Sequence, residues 1–556
     1  MPWNCTPGGC GKASGRIRKL FQDNVSELKM LLWFSGPLII TNFLDYAPMI
    51  VTAVFCGHLG KMELDAIMLA NAFAAVTGMS VGMGLCGACD TLLSQLYGGK
   101  NLKLIGIVLQ RAIVILSLSC FPCWALYINT KNIFVLLGQN PEVARLAELC
   151  MLVNIPALPA FCFFQLGLRY LQNQGIIWPQ NLISFIALII NAIFNYILLF
   201  VLKTGVIGAS VAITVGSLFE CTVLYLYIWL KKIHVETWPG WTTECLKEWR
   251  VFLALGIPNM LMTGIESWAY EIAIILTGLI SLAELGAQTI LYQMIILIHK
   301  IPFALSMAVS IRVGTFLGAG ETEQAKKSAK LSFVLTAIPT LVSLCILTGL
   351  RKPIASIFTN DKGILSLVID VIPVCALFHV LDSPATVFIG LARGIGKPEV
   401  GAAIFALTYC LITFPIAVPL MFTAKLGMKG FWIGIIAGFV VINIYFIIYF
   451  WRANWQHIAE KAQELVGLKS AMKTEGAIFD EEMINTPDNL ELKNYAALDS
   501  VSSESEQHEE AQSEYPTEQD KRSQKKLIIR RALESLAVVS LLFIGLIIRL
   551  TVHSQQ

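Results

Sequence analysis

Apolar residues in this chain come as continuous runs of about 20, not as the one-sided stripes of a soluble helix. Between polar or Gly/Pro breaks these runs predict twelve helical spans: 31–55, 67–96, 105–127, 149–170, 180–201, 207–230, 251–280, 286–312, 330–350, 364–392, 400–422 and 428–451. Each is long enough to cross a hydrocarbon core about 30 Å thick. A polar stretch follows, and then a detached thirteenth run at 532–550. The pattern predicts an all-α, polytopic membrane protein.

A repeat organises the spans. Sliding the chain by 221 residues lays Pro37 on Pro258, Asp45 on Glu266, Gly57 on Gly278 and Gly99 on Gly320. The same offset carries Glu63-Leu64-Asp65-Ala66 onto Glu284-Leu285-Gly286-Ala287. Each half holds six spans, an even number, so both halves enter the membrane from the same side. That predicts two parallel six-helix bundles related by a pseudo-twofold axis along the membrane normal, with a cavity between them. The expected divisions are 1–30 (cytoplasmic N-terminal segment), 31–230 and 251–451 (the bundles) and 231–250 (a cytoplasmic link). Residues 452–531 form an acidic linker, and 532–556 hold the thirteenth helix with a short tail. The linker carries 14 acidic residues between 471 and 520 against Lys473 and Lys493, a composition that predicts disorder.

Charge placement then sets an expected orientation. With the N-terminus inside, inner loops before residue 452 carry nineteen Lys and Arg against nine outside, as the positive-inside rule requires. A spanning thirteenth helix would leave the C-terminus extracellular. Overall, 56% of residues are hydrophobic and 14% charged, with a mean hydropathy of +0.67; soluble proteins carry about 25% charged residues. This composition excludes a nucleic-acid binder, a secreted disulfide scaffold and a cytosolic enzyme. The 14 cysteines have no paired spacing, so neither zinc nor a disulfide framework is implied. No Ser/His pair, metal-ligand spacing or phosphate loop suggests an enzyme, a metal or a cofactor.

Ionisable residues inside spans cost about 2.5–3.5 kcal/mol on insertion scales and mark function by default. The deep candidates are Asp45, Asp90, Glu220, Glu266, Glu271, His299, Lys300, Asp370, His379 and Asp382. Asp90 suits a capping or packing role as well as a functional one, and Glu220 a helix-pairing role. The segment Ile265-Glu266-Ser267-Trp268-Ala269-Tyr270-Glu271 puts two acids and two aromatics within about one and a half turns. Five residues apart, the acids point about 140° away from each other, so one should face the cavity and the other a neighbouring helix. A carboxylate withdrawn from water holds its proton more readily, and can exchange that proton for an organic cation. Trp268, Tyr270 and Tyr292 are candidates for the aromatic wall such a cation would sit against.

Cys56-Gly57-His58-Leu59-Gly60-Lys61, Ala88-Cys89-Asp90-Thr91-Leu92-Leu93-Ser94-Gln95 and Ile155-Pro156-Ala157-Leu158-Pro159 resemble segments of the vertebrate multidrug and toxin extrusion (MATE) transporters, the solute carrier family 47 type. So do the Glu266–Glu271 segment, Glu284-Leu285-Gly286-Ala287-Gln288 and Arg312-Val313-Gly314. The resemblance covers residues 30–452 and implies proton-coupled export of organic cations at a plasma membrane, often apical. It implies binding acids at Glu266, Glu271 and Asp382, the last one methylene shorter than the family's glutamate. A fourth family glutamate falls on Gln293, which has lost its charge. Lys300, seven residues on, returns to within about 20° of the same face. Its expected partner is Glu266, Glu271 or Asp382, and its charge makes zwitterions plausible cargo. The expected transporter works as a monomer in the lipid bilayer, on small organic cations or zwitterions. The alternatives are sodium coupling, a lipid-linked saccharide flippase of the same architecture, and a receptor or adaptor acting through the acidic tail.

Overall fold

The computed structural model describes the backbone of residues 7–359, 361–467 and 518–555, with side chains for 24–359, 361–467 and 524–551. The described residues are helical, with no strands. The helices are α1 (Pro7–Gly57), α2 (Lys61–Gly98), α3 (Leu102–Ile128), α4 (Pro141–Val153 with Ala157–Asn173), α5 (Trp178–Val201) and α6 (Val206–Leu230). They continue as α7 (Trp249–Gly278), α8 (Leu282–Gly318), α9 (Thr322–Gly349), α10 (Lys362–Gly394), α11 (Pro398–Phe422) and α12 (Met428–Arg452). A short helix, Trp455–Val466, precedes α13 (Glu518–Gln555).

Eleven helices among the described residues, α13 included, are long and apolar enough to cross a membrane, and the bent pair forming α4 makes a twelfth; α7, which covers the expected span at 251–280, is not among them. The expected single span at 149–170 is broken: its two helices meet at 53°. Pro156 sits at the break, where it lacks an N–H and disfavours helix in the residue before it. At 30 residues, α7 extends about 45 Å, yet Asn259, Glu266 and Glu271 interrupt its apolar run. It relies on its neighbours to stay in the membrane.

Buried apolar residues gather into two large cores. One joins Leu85, Leu116, Phe164 and Leu224 from the N-terminal half, and the other joins Met262, Leu291, Phe378, Trp432 and Phe439 from the C-terminal half. Those are the two bundles. Among the described residues twelve cysteines are free thiols. Residues 468–517 of the acidic linker, and 1–6 of the N-terminal segment, lie outside the described residues. The C-terminal part of α13 touches α3, where Asn129 Nδ2 donates to the carbonyl of Gly545 at 2.9 Å.

Candidate functional site

Glu266 on α7, His299 on α8 and Asp382 on α10 converge in the C-terminal bundle, with their ligand atoms within 4.8 Å of one another. His299 Nδ1 lies 2.7 Å from Asp382 Oδ2, and buried His379 Nδ1 lies 3.8 Å from the same oxygen. One turn of α10 separates His379 from Asp382. Aromatic rings close the surroundings: Tyr270 and Tyr292 have centroids 5.0 Å apart, and Tyr270 also meets Phe431 and Trp432. Gln288 Oε1 accepts the indole N–H of Trp432 at 3.0 Å. A turn of π-helix at Tyr409–Thr413 in α11 presents the Tyr409 hydroxyl, which has no hydrogen-bond partner among the described residues. Such turns mark functional sites often, and periodicity alone gives no sign of them.

The two acids of α7 part as helix geometry requires. Glu266 joins the cluster, while Glu271 lies outside it, with its charge bearing on Tyr292. Trp268 does not join the wall; it is 44% exposed and its ring lies beside Gly264 of its own helix. Asp370 is not deep. It is largely exposed and pairs with half-buried Lys429 at 3.5 Å.

Lys300 does not pair with any of the three acids expected for it. Among the described residues no carboxylate lies within 4.0 Å of its ammonium, which sits over the Tyr46 ring of α1, 5.1 Å from the centroid. The acid whose charge it feels is Asp45. Gln293 also reaches α1, accepting a short hydrogen bond from the Tyr46 hydroxyl. Both departures from the family pattern therefore meet the same tyrosine, as their shared helix face requires. The imidazole of His299, next in sequence and about 100° around α8, is what engages Asp382.

The N-terminal bundle encloses a cavity of about 180 Å³ lined by Asp45, Asn71, Tyr127, Gln165, Asn191 and Glu220. Ser184 Oγ donates to Asp45 Oδ1 at 3.3 Å. The side-chain N–H groups of Asn71 and Asn191 make no hydrogen bond among the described residues. A second π-helical turn, Ala75–Met79 in α2, borders this cavity. The sequence marks Asp45 and Glu220 separately; their convergence comes from the packing of α1 and α6.

At one end the bundles interlock. A Cβ on Gly98 would lie 2.0 Å from the carbonyl oxygen of Thr315, and one on Gly318 would lie 2.0 Å from that of Gln95. Small residues let helices approach this closely. Asp90 is pinned here by Arg169 at 3.2 Å, with Arg393 from the other bundle at 3.9 Å. Thr91 Oγ1 donates to the Arg393 carbonyl, and Arg312 pairs with Glu27 at 2.7 Å. The helix Trp455–Val466 lies across this end, with Val466 against Gly99 and Gln463 against Gly320, the two glycines that the repeat equates. This end is shut.

The MatE family profile matches residues 37–197 and again 258–418, two copies whose starts are 221 residues apart. Multidrug and toxin extrusion protein 2 of Mus musculus is 41% identical over 94% of this chain and 92% of its own. Multidrug and toxin extrusion protein 1 of Homo sapiens is 40% identical over 95% of this chain and 94% of its own. Among solved structures, the eukaryotic MATE transporter AtDTX14 superposes with a TM-score of 0.77 at 29% identity, covering 80% of this chain and 99% of that one. With both halves matched and relatives aligned over nearly the whole chain, the protein belongs to the MatE family: a multi-pass membrane transporter, not an enzyme.

Proposed function

We propose that the protein exports organic cations in exchange for protons, by rocking its two bundles about the cleft between them. The observation that carries this reading is the convergence of Glu266, His299 and Asp382 from three membrane helices, behind an aromatic wall. A carboxylate held away from water binds either a proton or a cation, and the two compete. One pH unit then supplies about 1.4 kcal/mol, enough for tenfold accumulation with one proton per monovalent cation. Glu266 is the primary exchange group because Asp382 is already engaged by His299. Glu271 and Asp382 tune it, and Tyr270 and Tyr292 supply ring faces. An imidazole nitrogen in the cluster favours protons over sodium, a hard cation that takes oxygen ligands, as calcium and magnesium do.

The relatives' names support extrusion as the direction of transport. In this reading the interlocked end is cytoplasmic, which makes the conformation outward-facing, and the protein works as a monomer in an apical plasma membrane. The bias of Lys and Arg toward the same side as the N-terminus supports that orientation. Reconstituted protein in acid-loaded vesicles should take up tetraethylammonium, and Glu266→Gln should reduce uptake to the level of empty vesicles. Uptake driven by a sodium gradient and indifferent to pH would replace the proton. Full exchange by Glu266→Gln would remove Glu266 from the reading.

A further inference from the structure

We propose that Lys300 is a tethered cation: carried by the C-terminal bundle, it fills a cation seat that Tyr46 and Asp45 form on the N-terminal bundle, and an organic cation must displace it to bind there. The inference rests on the cation-exchange reading and names a residue that sets its affinity. An aromatic face within about 6 Å, backed by a carboxylate, is the chemistry that recognises an organic ammonium. Lys300 meets both parts, with its ammonium 5.1 Å from the Tyr46 centroid and its charge felt by Asp45. Tyr46 is held in place from behind, since its hydroxyl donates to Gln293, two turns earlier on α8.

Lys300 is not locked there. Among the described residues no carboxylate lies within 4.0 Å of it, and its four-carbon stem can swing aside. His299 turns toward Asp382 while Lys300 turns toward α1, so α8 presents one basic group to the acids of each bundle. Asp45 belongs to the lining of the cavity that reaches Glu220. A displaced Lys300 therefore uncovers a seat whose acid, Asp45, also lines a largely apolar cavity with Glu220 on its wall.

The test is proton-driven uptake of tetraethylammonium by reconstituted wild-type, Lys300→Met and Lys300→Arg proteins, with KM and kcat measured separately. Freeing the seat should lower the KM of Lys300→Met about tenfold, the equivalent of 1.4 kcal/mol, while Lys300→Arg stays near wild type. Adding Tyr46→Leu to Lys300→Met should abolish the gain. Should Lys300→Met fail to reach the membrane, Lys300→Gln gives the same comparison. An unchanged KM in the neutral variants, with proton-driven flux intact, overturns the tethered cation and leaves the exchange reading standing. An equal KM change in Lys300→Arg also overturns it, since a purely steric or structural role would move both. Absence of proton-driven flux in the wild type overturns both readings.

Discussion

In the N-terminal bundle, Asp45 and Glu220 face a cavity of about 180 Å³ among amides and hydroxyls, without a basic side chain from their own bundle within ion-pair distance among the described residues. In the C-terminal bundle, the repeat equivalent of Asp45 is Glu266, and it converges instead on a second acid already held by an imidazole at 2.7 Å. Asp90 gives a third arrangement, a carboxylate 3.2 Å from a guanidinium where the bundles interlock. A guanidinium holds its proton at any physiological pH, whereas an imidazole is a group that can give one up. The guanidinium pair can therefore only pin, while the imidazole pair can also exchange a proton. One half thus carries an open acid pair and the other two acids with an imidazole of their own, and Lys300 reaches from the second half to Tyr46 beside the open pair.

Three substitutions separate these arrangements by stability, read as thermal midpoints of purified protein. Arg169→Gln should cost the most, about 3–5 kcal/mol, because it strands a buried carboxylate without its counter-charge. A small loss there would mean that Asp90 is held mainly by Arg393, and the pin would be misassigned. His299→Gln should cost less, about 1–3 kcal/mol, because a side-chain amide can still donate to Asp382. A loss as large as that of Arg169→Gln would make His299 a permanent counter-charge and remove the contrast between pin and exchanger. Glu220→Gln should fall within about 0.5 kcal/mol of wild type or above it, since it breaks no ion pair. Marked destabilisation by that change would show that the N-terminal acids are structurally paired after all.

Much of the molecule is legible along the chain. Run length predicts the spans because a membrane helix must hide its whole circumference from water over a fixed thickness. The 221-residue offset predicts two bundles, and the divergence of Glu266 from Glu271 follows from helix pitch. Lys300 shows where this kind of inference ends. Its face on α8 is predictable, and so is its company with Gln293; that it meets Tyr46 and Asp45 of the other bundle depends on which helices pack across the cleft. The same holds for the choice of His299 as partner of Asp382, 83 residues away, and for the meeting of Asp45 with Glu220.

The sequence by itself determined the membrane-spanning class, the two-fold repeat, the family and most of the acids held inside the spans, because each of these depends on local composition or on periodicity; it placed Asp370 too deep and passed over the buried Arg169 and Arg393. Tertiary structure decided which charge faces which. Pairing energies depend on distance and on exclusion of water, and both arise only when helices far apart in the chain are packed side by side.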